Sequence, residues 1–246
     1  MKPSRKLLLF DIDGTLVDTG GAGLVSLREG FYEAFPEHRS RDFPPLDLGG
    51  ATDHGVAMGL FDHFGLPDTS EHRDRFFRSY TDRLEVHLRT FAEAGKGRLL
   101  PGVMTLLEAL AARDESCLAV LTGNLREGAR IKLRHFAIEH HFSTGAFGDD
   151  HHDRNELGPI ARRRVHETFG EDFSPEDIVV IGDTPRDIAC ARAFGAKVLA
   201  VATGAASRDQ LAAAAPDLLI EDFSDCEAVL NGIAAVFSST QSSRIP

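Results

Sequence analysis

"LLLFDIDGTLVDT", residues 7–19, joins four consecutive apolar residues directly to two aspartates. An apolar run without alternation is typical of a strand that is covered on both faces in a parallel sheet, so residues 7–10 are predicted to be buried. Side chains alternate along an extended chain, and Asp11 and Asp13 are therefore expected to point to the same side, about 6–7 Å apart. Two carboxylates then face one point at the end of a buried strand. Whether they form a functional site depends on what the other strands place beside them.

Composition and charge restrict the class of protein. With 246 residues and 42% hydrophobic content, the chain can bury a full core, and we expect a soluble globular protein. No apolar run suits a membrane span or the h-region of a signal peptide. The three cysteines are scattered and form no C-x-x-C pair, which predicts reduced thiols and a cytoplasmic location. A net charge of -11 argues against a nucleic-acid surface.

Four further apolar runs have the shape of the first, and each ends in polar or glycine residues. They are "CLAVLTGN" (117–124), "IVVIGDTPRD" (178–187), "AKVLAVATG" (196–204) and "DLLIEDF" (217–223). Helical patterns lie between most of them, at 103–112, 126–137, 160–169 and 187–194. Strands that alternate with helices predict an α/β fold, a Rossmann-like parallel sheet with helices on both faces. Ligands of such sheets bind beyond the carboxyl ends of the strands.

The polar residues at these strand ends predict one site. They are Asp11, Asp13, Thr122, Asn124, Asp183 and Asp187. Four ionised carboxylates cannot crowd together without a cation, and an all-oxygen site suits Mg²⁺, which binds through one or two carboxylates plus substrate phosphate. A phosphate group would also use the backbone N–H groups of the glycine turns Gly14-Thr15 and Gly123-Asn124. The pattern therefore predicts phosphoryl transfer.

One connection is much longer than the others. About a hundred residues separate Asp13 from Cys117, whereas a crossover connection needs only a dozen or more. Helical patterns in this insertion, at 24–35, 53–64 and 71–94, predict an all-α cap domain over the strand ends. The predicted divisions are a cap at 17–97, an α/β catalytic core at 1–16 and 98–246, and a frayed Ser-rich tail at 238–246. Glycines at both borders of the cap predict linkers that let it open and close.

Three of these motifs resemble those of the haloacid dehalogenase-like superfamily. "DIDGTLVDT" is similar to the family's D-x-D-G-T first motif, "LTGN" to its Thr-bearing second motif and "GDTPRD" to its acidic fourth motif. Nearly the whole chain resembles the phosphatases of this superfamily that carry a helical cap after the first strand, the phosphoglycolate phosphatase-like members.

The resemblance implies a Mg²⁺-dependent phosphatase that works through an aspartyl-phosphate. It implies that Asp11 is the nucleophile and that Asp13 is the general acid for the leaving oxygen and then the general base for water. Thr122 would hydrogen-bond the phosphate. The implied metal ligands are Asp11, the main-chain carbonyl of Asp13, Asp183 and, in support, Asp187.

The third motif departs from the family's pattern. The family usually has a lysine there, but the stretch "DDHHDRNELGPIARRR" contains none. We assign Arg154, because it precedes an apparent helix start on the strand-end side, and Lys132 or an arginine at 162–164 stays an alternative. Thr52 in "GGATDHG" is predicted either to contact substrate from the cap or to cap the helix that it opens.

Two other functions stay open. A sugar phosphomutase of the same superfamily would keep every motif, and only its products would distinguish it. A noncatalytic phosphometabolite-binding protein would have no need for the proton-transfer acid Asp13. A dehalogenase would lack that second acid, and a phosphonate hydrolase would need a cap lysine, whereas residues 15–95 contain no lysine. We expect a monomer or dimer that binds neither nucleic acid nor membrane.

Overall fold

Two sheets organise the part of the chain that this computed structural model describes, residues 5–238. Their strands are β1 (Lys6–Phe10), β2 (Val17–Asp18), β3 (Arg98–Leu99), β4 (Ser116–Leu121), β5 (Gly145–Ala146), β6 (Ile178–Gly182), β7 (Lys197–Val201) and β8 (Leu218–Ile220). Six strands form one parallel sheet in the order β5-β4-β1-β6-β7-β8, and β2 pairs with β3 in an antiparallel ribbon. The predicted α/β fold with a parallel sheet is confirmed.

Strand β1 lies in the middle of the sheet, between β4 and β6, and is covered on both faces. Its residues 7–10 have no solvent exposure. Leu8 and Phe10 belong to the hydrophobic cluster on one face, whereas Leu7 and Leu9 belong to the cluster on the other. The prediction of a doubly covered strand is therefore confirmed. The central position carries the two aspartates that follow β1 to the middle of the sheet edge.

Helices cover both faces of the sheet and fill the insertion. Within residues 5–238 they are α1 (Ala22–Ala34), α2 (Asp53–Phe64), α3 (Ser70–Glu93), α4 (Val103–Ala111), α5 (Arg126–His135), α6 (Leu157–Phe169), α7 (Pro185–Ala193), α8 (Arg208–Ala213) and α9 (Cys226–Ser238). None of these helices is long and apolar enough to cross a membrane. Ser238, which was expected to begin a frayed tail, is the last residue of α9, and the rest of that prediction, at 239–246, lies outside the described residues.

Helices α1, α2 and α3 pack around buried phenylalanines. Phe31 of α1 contacts Phe76 of α3 edge to face, with ring centroids 5.6 Å apart, and Phe61 of α2 lies against the same ring. Gly30 lets α1 approach α3 closely, because a Cβ there would lie 2.8 Å from the backbone of Tyr80. The Phe-rich stripes of the insertion are thus its core. The exact division into core and cap stays a prediction.

The borders of the insertion are paired with each other. The chain leaves the sheet through β2 and returns through β3, and Asp18 lies opposite Arg98 in this ribbon. Sequence analysis predicted two glycine linkers at these positions. Gly20 and Gly97 do adopt positive φ, 64° and 83°, but they lie at the end of a hydrogen-bonded ribbon. The ribbon brings the two ends of the helical insertion to one place beside the edge of the sheet.

Candidate functional site

The carboxyl ends of β1, β4 and β6 meet below the helical insertion and line an open cavity of about 280 Å³. Its core-side wall carries most of the residues that the sequence predicted, namely Asp11, Asp13, Gly14, Thr122, Gly123, Asn124, Arg154 and Asp183. The insertion supplies the opposite wall, which includes Leu24, Leu27, Asp53, Val56 and Tyr80. One edge of the sheet therefore brings together residues that are up to 172 positions apart along the chain.

Three buried carboxylates on the core side could hold a metal ion. Asp11, Asp183 and Asp187 each offer an oxygen, and these oxygens lie within 4.8 Å of one another. An all-carboxylate donor set suits a hard cation such as Mg²⁺. The carboxylate of Asp13 is outside this cluster, and the sequence assigned only its main-chain carbonyl to the metal. Thr15, predicted to bind substrate, donates its hydroxyl to Asp183 Oδ1 at 3.2 Å.

The cluster is electrostatically unfavourable when no cation balances it. Burial raises the pKa of Asp183 to about 8, and the negative charges of Asp187 and Asp11 act in the same direction. Burial also raises the pKa of Asp11 to about 6, against the opposing effect of Arg154. Protons therefore compete with a metal ion for these carboxylates near neutral pH.

Asp187 has a second task besides its place in the cluster. It is at the third position of α7, and its Oδ2 accepts hydrogen bonds from the backbone N–H of Thr184 at 3.0 Å and from the Thr184 hydroxyl at 2.7 Å. The two residues form a capping box that begins the helix. Because Oδ1 also accepts from Arg154, both oxygens of Asp187 are already engaged within the protein.

Arg154 lies beside the predicted nucleophile. It begins the 3₁₀ turn Arg154–Glu156, which Asp153 caps through a 2.9 Å bond from the Asn155 N–H. Its Nη2 donates to Asp187 Oδ1 at 2.5 Å and lies 3.3 Å from Asp11 Oδ1. The guanidinium is buried, and its Nε has no hydrogen-bond partner within the described part of the chain. The guanidinium therefore contacts the predicted nucleophile, and the assignment of Arg154 to the third motif stays a prediction.

The alternatives to Arg154, which are Lys132 and the arginines at 162–164, lie in different places relative to the cavity. The cavity lining does not include the arginines at 162–164, and Arg164 is paired with Asp150. Lys132 does line the cavity, but on the side of Asp13. The site therefore holds two buried cations, one beside each of the first two aspartates. Sequence analysis considered Lys132 only as a substitute for Arg154.

A network of short hydrogen bonds holds Asp13. Lys132 Nζ donates to Asp13 Oδ1 at 2.8 Å, to Asp13 Oδ2 at 2.6 Å and to Asn124 Oδ1 at 2.5 Å. Asn124 Nδ2 donates to Asp13 Oδ2 at 2.7 Å and to Thr122 Oγ1 at 2.8 Å. Asn124, which was predicted to bind substrate, thus links the second motif to the first. The available sequence signal for Lys132 is its spacing, four residues after Gly128 on the buried face of α5.

The helical insertion docks on the second motif through Asp53, which sequence analysis did not identify. The N–H of Asp53 donates to the Gly123 carbonyl at 2.7 Å, and its Oδ2 accepts from the Leu125 N–H at 2.8 Å. Burial raises the pKa of this carboxyl to about 6, although Lys132 opposes the effect. Gly123 is required here, because a Cβ would lie 1.9 Å from the carbonyl oxygen of Ala51.

Thr52 takes the second of its two predicted roles. Its hydroxyl accepts from the Gly55 N–H at 3.0 Å as the N-cap of α2 and donates to the His152 carbonyl at 2.6 Å. It is not among the residues that line the cavity. The hydroxyl is thus used to begin the helix and to join it to the core, and a substrate contact of Thr52 stays a prediction.

Comparison with known proteins gives a consistent result. The sequence profile of the family described as haloacid dehalogenase-like hydrolase matches residues 8–192. The chain is 24% identical over 226 residues to the pyrophosphatase PpaX of Bacillus pumilus, covering 91% of this chain and 95% of that protein. It is 28% identical over 224 residues to a phosphoglycolate phosphatase of Rhodospirillum rubrum, covering 89% and 88% of the two. The fold is similar to that of a beta-phosphoglucomutase from Clostridium difficile, with a TM-score of 0.70, 13% identity and coverage of 97% and 99%.

Proposed function

Because this chain belongs to the haloacid dehalogenase-like hydrolases, we propose that it is a Mg²⁺-dependent phosphatase that hydrolyses a small phosphorylated metabolite through an aspartyl-phosphate. One observation carries the proposal. The first two aspartates face one cavity but have separate partners, since Asp11 lies against Arg154 and the acidic cluster, whereas Asp13 is held by Lys132 and Asn124. Two carboxylates in different surroundings suit different chemical tasks.

In the first step, a carboxylate oxygen of Asp11 attacks phosphorus, and the bond between phosphorus and the leaving oxygen breaks. Asp13 gives its proton to that oxygen, which leaves as an alcohol. In the second step, water attacks the phosphorus of the aspartyl-phosphate, Asp13 takes the water proton, and the bond to Asp11 breaks. The free enzyme is then regenerated, inorganic phosphate is released, and all protons are accounted for.

The remaining groups hold the phosphoryl oxygens. The Thr122 oxygen accepts from Asn124, so its own O–H proton is available for a phosphoryl oxygen. Arg154 balances negative charge at Asp11. Asp11 and Asp183, with Asp187 in support, would hold Mg²⁺. When bound, this ion would offset the charge on the phosphoryl group that Arg154 alone leaves uncompensated.

The substrate is proposed from the cavity. A space of about 280 Å³ suits a small metabolite, and the insertion lines it with the apolar side chains of Leu24, Leu27 and Val56 next to the carboxyl of Asp53. Because two relatives are named for phosphoglycolate and for pyrophosphate hydrolysis, small phosphorylated compounds of these kinds should be tested first. We propose the cytoplasm as the location, since the three cysteines are free thiols.

The test is a panel of phosphorylated metabolites assayed with Mg²⁺, with both inorganic phosphate and isomerised phosphate esters measured. Release of phosphate supports the phosphatase, whereas an isomerised ester alone would indicate a phosphomutase. Asp11→Asn should abolish turnover, because an amide is not a nucleophile, and Asp62→Asn, at an exposed position of α2, serves as the control. Turnover that persists in Asp11→Asn would contradict the proposal, and no turnover of any ester by the wild type would favour a noncatalytic binding protein.

A further inference from the structure

Lys132 is an unusual lysine, because its charged end is inside the protein. Its side chain is only 4% exposed, whereas the side chain of its partner Asp13 is 41% exposed. A lysine has a long flexible stem and is almost never fully buried unless it is paired. The burial of the Lys132 ammonium is therefore explained by its ion pair with Asp13.

The Lys132 ammonium donates hydrogen bonds to three oxygen atoms within the protein, Oδ1 and Oδ2 of Asp13 and Oδ1 of Asn124. Each of these contacts joins Lys132 to a residue of the first or the second motif. Arg154 contacts the other aspartate, Asp11, so the two cations have different tasks.

We propose that Lys132 is a positioning residue for Asp13, an inference that rests on the proposed phosphatase function. Oδ2 of Asp13 accepts from both Lys132 and Asn124, whereas Oδ1 accepts, within residues 5–238, from Lys132 alone. Lys132 and Asn124 together fix the carboxyl plane and leave Oδ1 as the oxygen that gives a proton to the leaving group and takes one from water. The ammonium keeps its own protons in both steps.

The location of Lys132 allows it to hold the Asp13 carboxyl in place. It comes from α5, which follows the second motif, and its Nζ lies next to the insertion as well, 4.0 Å from where a Cβ on Gly23 of α1 would be. Without Lys132, the Asp13 carboxyl would keep one hydrogen bond from the described part of the chain, that of Asn124, and Asn124 would lose the donor to its own Oδ1. A half-exposed carboxyl held by one bond can turn away from the leaving oxygen.

The kinetic test compares Lys132→Met, which keeps the length of the side chain and removes its donors, with Arg134→Met on the same helix as the control. Arg134 is half-exposed and pairs with Glu85. For an alkyl phosphate we expect kcat of Lys132→Met to fall by about 10²-fold, the loss typical of a misplaced catalytic group. For para-nitrophenyl phosphate, whose leaving group needs little protonation, we expect a fall of about threefold or less. KM and the affinity for vanadate should stay at the wild-type values, as should every constant of Arg134→Met.

A second comparison separates positioning from a direct role. In an Asp13→Asn background, Lys132→Met should add no further loss, because the group that it positions no longer transfers protons. Lys132→Gln, which keeps N–H donors, should recover part of the alkyl phosphate activity. Equal losses on both substrates, a loss of vanadate affinity or an additive loss in the double variant would each overturn the proposal.

A structural measurement keeps the inference independent of the proposed function. In crystal structures of Lys132→Met and the wild type, we expect the Asp13 carboxyl to change its orientation in the variant. An unmoved carboxyl would overturn the positioning role even if the wild type hydrolysed no ester. Failure of the wild type on every ester, together with a reoriented Asp13, would refute the phosphatase proposal alone. Thermal unfolding of both Lys132 variants confirms that the compared proteins are folded.

Discussion

Asp183→Asn should stabilise the metal-free protein at pH 8 while it weakens the response to Mg²⁺. Asp183, Asp11 and Asp187 place three carboxylates within 4.8 Å, and Arg154 is the cation that contacts two of them. Asparagine has nearly the same shape as aspartate, carries no charge and can still accept the hydrogen bond from Thr15. The substitution therefore removes one of three crowded charges and leaves the packing in place.

The direction and the magnitude of this change in the free energy of unfolding follow from the linkage between proton binding and folding. Burial raises the pKa of Asp183 from 3.8 to about 8 in the folded protein, so the folded state keeps a proton that the unfolded chain releases. The stability that this proton provides is fully present below pH 4 and is lost as the pH rises to about 8. A pKa difference of one is about 1.4 kcal/mol, which sets an upper limit of about 6 kcal/mol for this loss. Because the asparagine does not titrate, its advantage over aspartate should grow between pH 4 and 8 and then level off at a value below that upper limit.

The assay is urea unfolding of wild type, Asp183→Asn and the exposed control Asp172→Asn between pH 5 and 9, in chelator and then in excess Mg²⁺. With Mg²⁺ at a hundred times its dissociation constant, the wild type should gain about 2.7 kcal/mol. Asp183→Asn should gain much less, and Asp172→Asn should follow the wild type throughout. If Asp183→Asn is less stable than the wild type at pH 8 without metal, or gains as much from Mg²⁺, the electrostatic reasoning about this cluster is wrong.

Substitutions of Asp13 and of Arg154 test the roles proposed for these two residues. Asp13→Ala should lower kcat for an alkyl phosphate by about 10²–10⁴-fold and for an aryl phosphate far less, and equal losses in steady-state kinetics would show that Asp13 is not the acid. Arg154→Ala should lower kcat and vanadate affinity, and Arg154→Lys should recover part of both, because an ammonium keeps the charge but lacks the planar guanidinium whose Nη2 contacts Asp187 and Asp11. Arg163→Ala, at an exposed position, should match the wild type, and a wild-type Arg154→Ala would remove the third-motif assignment.

The sheet could be predicted because its strands are covered on both faces and therefore appear in the sequence as unbroken apolar runs. Each run then ends in the polar residues of the site, since strand ends in a parallel sheet share one edge. The two-residue strands β2, β3 and β5 gave no such signal, because pairing of so few residues leaves no periodic pattern. Helix α6 begins at Leu157 rather than at 160, since the turn that holds Arg154 leads directly into it.

The sequence could predict the site residues that lie within a motif, but not the contacts that form between motifs and other elements. Asp11, Asp13, Thr122 and Asp183 follow strands whose positions the sequence shows. The meeting of Lys132 and Asp53 with the second motif depends on how α5 and the insertion dock against the sheet, which no local pattern records. A charged residue within a helix is usually solvated, and only the structure shows that Lys132 turns inward.

The contact between the insertion and the second motif has a consequence for how such a protein can evolve. It is made largely by main-chain atoms, with the Asp53 N–H on the Gly123 carbonyl and the Ala51 carbonyl packed against Gly123. Main-chain groups do not change when neighbouring side chains are replaced. The side chains of the insertion that line the cavity, such as Leu24 and Val56, can therefore be exchanged without loosening this contact. The lining of the cavity and the attachment of the insertion can change independently in this protein, except at Gly123, where a Cβ would collide with Ala51.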